Sequence, residues 1–289
     1  MGHMGNAHLS LVFERELLRI QTGARGHSGN HMKTEVTRRD FLKTCGAAAV
    51  LLTSFPRYGY AAATKVPVLL YHDISDQFSD AYTISPALFA AQMEWLYANG
   101  FRALSLHDVD FSKQEGRENV VVITFDDGYA SFMEYAFPFL SEYGFKATIN
   151  IIGKYVGTFL HYGGNRPMLS WDEYRYLNAS GLIDLGCHTQ ELHTSGGVTN
   201  FPKNALKEDL RVFIEGFHAE IGSDVDILAW PYGAYDKKSM RVAEEAGFTY
   251  LLTSREERMS EDTRSNEIPR LNINEQLDLV SFEQYIGGL

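Results

Sequence analysis

With only two cysteines in 289 residues, the chain is not a disulfide-stapled fold. Cys45 lies in a stretch read below as a removable leader, which leaves Cys187 alone and without an internal partner. No Gly-rich phosphate loop follows any apolar run, and no internal repeat is visible. Basic residues are scarce where a fold would be. Beyond residue 63 lie 18 of the 26 Lys/Arg and 33 of the 37 Asp/Glu, a balance of −15. An acidic chain with no basic stripe argues against nucleic acid and anionic membrane as partners and suits a neutral or cationic ligand. What remains is ordinary globular composition, 45% hydrophobic and 22% charged.

The amino-terminal stretch reads as an address. Residues 32–63 place a basic segment, Thr37-Arg38-Arg39-Asp40-Phe41-Leu42-Lys43, before an apolar run from Cys45 to Phe55 and the small residues Ala61-Ala62-Ala63. That layout is a secretory signal peptide, and its paired arginines resemble the twin-arginine export motif. The apolar run is too short for a permanent membrane span. Residues 1–31 precede the signal and are read as a mis-assigned start or an added extension, outside the fold. The expectation is an exported, periplasmic or extracellular protein whose single domain covers 64–289 and is followed by no second catalytic domain.

The rest is organised around Thr124-Phe125-Asp126-Asp127-Gly128-Tyr129. Val120 to Ile123 before it are four β-branched residues in a row, which predicts a strand buried on both faces. Two adjacent carboxylates at its end cost several kcal/mol to bury unless a cation or a proton sits between them. Side chains alternate along a strand, so one carboxylate can bind a metal while the other faces a water on it. The bland alternative is an Asp-Asp-Gly turn that merely ends a strand.

Around this anchor the pattern alternates. Strands are predicted at 66–71, 103–106, 146–152, 183–187, 227–230, 248–252 and 268–273. Helices are predicted at about 86–98, 131–143 (interrupted at Pro138), 171–179, 204–221 and 237–246. Residues 153–170, with four glycines, read as a long loop of the kind that carries function. Alternation with short connections means parallel strands with helical crossovers. The fold class is α/β, a closed, irregular (β/α) barrel of about seven parallel strands, preferred over an open sheet.

Chemistry in parallel α/β folds sits at the C-terminal strand ends. Those ends carry His72, then His188 with His193 five residues on, then Pro231-Tyr232-Gly233. An aspartate with two histidines is a three-ligand set that leaves positions open for water. Surface or core histidines explain the same spacing equally well, and a satisfied core histidine is the alternative for His72. Cys187 reads as a small core residue. Tyr129, Tyr162, Trp171 and Tyr232 are candidates to stack on sugar faces. Packing is the alternative, favoured for Trp171 at a helix start, and Tyr129 and Tyr232 are preferred because they lie beside the ligands.

Taken together, Thr124 to Tyr129, Leu70-Tyr71-His72-Asp73, the His188/His193 pair and Trp230-Pro231-Tyr232-Gly233 resemble the polysaccharide deacetylases of carbohydrate esterase family 4, the NodB-homology group. Within it they are most similar to deacetylases of poly-β-1,6-N-acetylglucosamine, over residues 66 to 273. The resemblance implies a polysaccharide or oligosaccharide substrate and a divalent metal, zinc, held by Asp127, His188 and His193. It implies Asp126 as general base on metal-bound water and His72 as the acid that protonates the departing amine. Tyr129, Pro231, Tyr232 and Gly233 would contact substrate, with the Tyr232 N–H holding the oxyanion. A monomer is expected.

Two departures stand out. No histidine follows His218, so the acid comes from the first strand rather than the late position many members use. Ala229 occupies the place where many members carry an arginine that orients the base. Arg270 is the candidate replacement, against a solvated or merely structural arginine. Rival substrates are chitin, peptidoglycan and O-acetylated xylan. Rival classes are a non-haem iron oxygenase, since Asp plus two His also forms its ligand triad, and an inactive carbohydrate-binding protein.

Overall fold

The structure, a computed structural model, describes residues 65–110 and 119–287. The expected signal segment and the stretch before it lie outside the described residues. Seven strands form one parallel path: β11 (Tyr250–Leu252), β10 (Ile227–Ala229), β9 (Ile183–Cys187), β6 (Ala147–Ile151), β5 (Val120–Phe125), β1 (Val68–Tyr71) and β12 (Leu271–Asn272), in that spatial order. An eighth, β4 (Arg102–Leu104), pairs with β5 off this path. The sheet is curled and open between β11 and β12, apart from one parallel bridge between Leu252 and Ile268. The irregular (β/α) barrel expected from the alternation is present, but the closure expected with it is not, since β11 and β12 do not pair as strands.

The curl shows in the packing. Val68 of β1, Val120 and Val122 of β5, Ile227 and Ala229 of β10 and Leu252 of β11 share one buried cluster, although β5 and β10 are separated in the sheet by β6 and β9. These side chains point inward and plug the barrel. Moving along β5, the inward positions change from Val120 and Val122 to Thr124 and Asp126. The apolar plug thus gives way to a polar layer at the C-terminal end. Phe125 faces the other way, stacked on Tyr71 (centroids 5.2 Å) and edge-on to Phe132 (4.8 Å). Burying each such side chain contributes about 1.5–3 kcal/mol.

The helices follow their start and stop signals. In α1 (Pro86–Ala98), Ser85 caps the first turn by accepting from the Leu88 N–H, with Pro86 at the first position. The span α2 (Phe137–Tyr143) is shorter than expected. Residues Phe132–Ala136 form a π turn instead, and Pro138 sits in the first turn of α2, where its missing N–H costs nothing. A Ser170–Glu173 capping box opens α3 (Trp171–Ala179). Then come α4 (Lys203–Ile221) and α5 (Lys237–Glu245), the latter capped by Asp236.

The structure adds elements the sequence reading lacked. β2 (Asp73–Ile74) pairs with β3 (Thr83–Ile84), and β7 (Phe159–His161) with β8 (Asn165–Pro167). The expected loop at 153–170 therefore contains a hairpin. A last helix, α6 (Leu279–Gly287), follows β12. Among the described residues no helix is long and apolar enough to cross a membrane.

Candidate active site

The C-terminal strand ends surround a cavity of about 440 Å³ whose wall includes His72, Asp126, Asp127, Tyr129, His188, His193, Tyr232 and Gly233. The backbone there is bent hard. Of four described non-glycine residues with positive φ, three belong to this rim: Asp127 (+73°), Thr189 (+72°) and Tyr232 (+56°). Such conformations cost about 1–3 kcal/mol each and persist where surrounding structure enforces them. Glycines make the bends possible. A Cβ on Gly128 would meet the Tyr174 hydroxyl at 2.1 Å, and one on Gly233 would meet Ser254 Oγ at 1.8 Å.

The two adjacent carboxylates have opposite surroundings. Asp126 is fully engaged. Arg270 grips it with both arms, Nη1 to Oδ1 and Nη2 to Oδ2 at 2.8 Å each, and Asn150 Nδ2 donates to Oδ1 at 2.7 Å. Burial alone would raise the Asp126 carboxyl, but the Arg270 guanidinium and His188 outweigh it and hold it well below the usual carboxylate range. Arg270, only 1% exposed, also donates to the Thr253 carbonyl and to Thr124 Oγ1. The solvated-arginine alternative is thereby excluded, and Arg270 stands where it holds both oxygens of Asp126.

Asp127, by contrast, has a buried Oδ1 with no hydrogen-bond partner. Facing it are His188 Nε2 at 3.5 Å and His193 Nε2 at 3.3 Å. One ligand atom from each of the three residues lies within 4.8 Å of the others, the sole such group among the described residues. His188 Nδ1 donates to the Ala229 carbonyl at 2.8 Å, which fixes the tautomer and leaves the Nε2 lone pair toward Asp127. Burial pushes the His188 imidazole down to about 4, with Asp126 opposing, so the ring stays neutral as a metal ligand must. An orphaned carboxylate oxygen and two converging imidazole nitrogens fit a divalent cation.

The remaining expected residues are placed as follows. His72 lines the cavity, its ring 5.0 Å from that of Tyr82, and its buried Nδ1 has no partner, so it is not a satisfied core histidine. Burial lowers its pKa, opposed by Asp127 and Asp126. Tyr129 is buried and lines the cavity, and burial together with the neighbouring Asp127 charge pushes its hydroxyl pKa up. Tyr232 is 47% exposed and its ring lies 5.0 Å from His193, on a turn begun by buried Pro231. Tyr162 is 43% exposed and lines the same cavity. Trp171 packs on Tyr174 and Phe217, away from the cavity wall. Cys187 is buried, its Sγ accepting from the Thr189 N–H at 3.2 Å, and takes no part in the cluster.

Several participants escaped the sequence reading. Asn150 had a signal: Thr148 and Asn150 are polar at alternate positions of an otherwise apolar strand, on the face shared with Thr124 through the Thr124–Thr148 register. Arg166 had none. It is buried under Phe78 and ion-paired with Asp73 (3.0 Å) and Asp80, tying the β2–β3 segment to the β7–β8 hairpin above the cavity.

The polysaccharide deacetylase family model matches residues 113–251. YxkH of Bacillus subtilis, assigned to the polysaccharide deacetylases, is 27% identical over 229 residues, covering 78% of this chain and 77% of its own. The poly-β-1,6-N-acetyl-D-glucosamine N-deacetylase of Staphylococcus epidermidis is 26% identical over 201 residues, covering 67% of this chain and 68% of its own. The solved structure of IcaB from Ammonifex degensii superposes with a TM-score of 0.68 at 25% identity, over 78% of this chain and 97% of that one. The match in sequence, the shared barrel and the Asp–His–His cluster at its mouth agree on a fold like that of the carbohydrate esterase family 4 polysaccharide deacetylases, with a candidate metal-binding cluster at the barrel mouth.

Proposed function

We propose that the chain removes N-acetyl groups from N-acetylglucosamine units of a polysaccharide, as a metal-dependent amide hydrolase. The observation that carries this reading is the unlike pair of carboxylates. One is locked by a guanidinium beside a cluster of three ligand-type side chains, and the other is the oxygen donor of that cluster, all in one cavity with a free histidine.

Asp127, His188 and His193 would hold the ion, and a donor set of two imidazoles and one carboxylate suits zinc. When bound, such an ion polarises the acetamide carbonyl and brings water to a pKa of roughly 7. Asp126 then orients the attacking water and takes its proton. Arg270 and Asn150 fix the carboxylate at the cavity wall, with Oδ2, which takes one of the three hydrogen bonds, 3.9 Å from His188 Nε2. As the water oxygen bonds to the carbonyl carbon, negative charge collects on the carbonyl oxygen, and the Tyr232 N–H is the assigned donor to it. His72 gives a proton to the amide nitrogen, the C–N bond breaks, and acetate and a free amine leave. An amine anion is too poor a leaving group to depart unprotonated, so this acid is essential. Burial works against a charged His72, while Asp127 and Asp126 favour it.

The relative named as a poly-β-1,6-N-acetyl-D-glucosamine N-deacetylase supports a β-1,6-linked substrate for this chain. The amino-terminal twin-arginine pattern supports export to the periplasm or beyond. The test is a panel of N-acetylated oligomers with β-1,6 and β-1,4 linkage, together with an O-acetylated xylan, assayed for released acetate with and without a chelator. Acetate from the β-1,6 oligomers that stops on chelation is the expected result. Release from the β-1,4 oligomers or xylan alone would reassign the substrate, and release from none would end the reading.

A further inference from the structure

Both imidazole ligands come from one short segment, His188 to His193, outside the barrel strands. The chain leaves β9, turns through Thr189 in the left-handed region and must bring His193 back beside His188. That turn presents three consecutive amide N–H groups to one place. The N–H of Gln190 donates to Asp209 Oδ2 at 2.7 Å, that of Glu191 to Oδ1 at 2.7 Å and that of Leu192 to Oδ1 at 3.2 Å. From the opposite side, the Gly153 and Lys154 amides donate to the Thr189 and Gln190 carbonyls at 3.0 and 2.9 Å. Successive amides converging in this way form an anion-binding concavity. Here a side chain of the same molecule fills it.

Asp209 is unusual for its position. It lies on α4 among the buried residues Leu206, Leu210, Phe213 and Phe217, and is 8% exposed. A carboxylate in an apolar helix stripe is costly unless fully hydrogen-bonded. For packing alone an apolar residue would serve better. What the carboxylate adds is a fixed path for the ligand loop.

We propose that Asp209 is a positioning residue for the metal site. It holds the 189–192 turn in its ligating shape before the ion arrives, so that His193 meets Asp127 and His188 without reordering the loop. This rests on the reading of Asp127, His188 and His193 as the ligand set. Groups that orient ligands without touching the metal typically change affinity by about 10–100-fold when removed.

The test uses the full chain stripped of metal. Zn²⁺ affinity is measured by competition with a chelator of known affinity, Co²⁺ absorption reports ligand geometry, and hydrogen exchange reports the amides of residues 190–192. In the metal-free wild type those amides should be protected. D209N, which keeps shape but loses charge and one acceptor, should lose that protection, bind Zn²⁺ about 10–100-fold more weakly and show an altered Co²⁺ spectrum. D209E should recover part of the affinity. A folded D209N with wild-type affinity and spectrum would overturn the proposal, whatever its melting temperature. Should D209N fail to fold, fast exchange at 190–192 in the metal-free wild type would overturn it instead. D127A separates this inference from its foundation. If D127A binds Zn²⁺ like the wild type, the ligand set itself is wrong; if D127A abolishes binding while D209N changes nothing, only the role of Asp209 falls.

Discussion

Two places in this barrel put a histidine between carboxylates, and they differ in one respect that matters. At the C-terminal strand ends, His188 and His193 both direct Nε2 at a single oxygen of Asp127, which has no other partner. At the N-terminal ends of β9 and β10, His107 Nδ1 meets Asp184 at 3.1 Å and its Nε2 meets Asp226 at 3.0 Å. The lower cluster contains the same residue types and is half exposed. Each of its ring nitrogens already has an acceptor, and the two carboxylates lie on opposite sides of the ring. It is a closed set of hydrogen bonds. The upper cluster is an open one, with lone pairs aimed at a common point. Residue type therefore does not distinguish a metal site from an ion-pair knot; convergence and unmet valence do.

The comparison can be broken most severely at Asp127. D127A should lose bound metal and all measurable acetate release, whereas D184N or D226N should lose neither; metal analysis of the purified variants checks this. Next comes Arg270. R270M leaves the buried Asp126 charge uncompensated, which should destabilise the fold by about 3–5 kcal/mol in denaturant titrations. D126N should keep the metal yet lose at least about 100-fold in rate, read as kcat with metal content held equal, and should also lower stability because Arg270 loses its charge partner. If D126N were as active as the wild type, Asp126 would lose its assigned role.

The smallest effect belongs to the lower cluster. Burial lowers the His107 pKa, but hydrogen bonds and charge from Asp226 and Asp184 outweigh it and raise it above the ordinary value. A raised folded-state pKa means stabilisation that is complete below about pH 6.5, the unfolded value, and lost as pH rises through the folded value. H107Q should therefore cost about 0.2–1 kcal/mol at pH 6, given the exposure of the pair, and progressively less at higher pH. Urea melts at several pH values test the trend. A cost that grows with pH would contradict the sign.

Much of this site was legible because strand ends are. Val120 to Ile123 announced a buried strand, and whatever followed it had to stand at the barrel mouth. The same logic placed His72, His188 and Pro231 there. What joined them was less visible. Arg270 reaches Asp126 across 144 positions, and only the pairing of β12 with β1 and of β1 with β5 brings them together. The 159–167 hairpin was hidden by its glycines, which read as loop. Asp209 looked like one more acidic residue on an amphipathic helix, because its partners are backbone amides that every sequence contains. Local pattern fixes where a side chain emerges. It does not report which lone pairs remain unpaired once the chain has folded.

The most direct measurement is a titration of metal-stripped protein with Zn²⁺, following acetate release from β-1,6-linked N-acetylglucosamine oligomers. The account predicts no release at the start, a rise that breaks at one equivalent, and no rise for D127A. Full activity before any Zn²⁺ is added, or one equivalent bound with no acetate released, would contradict it.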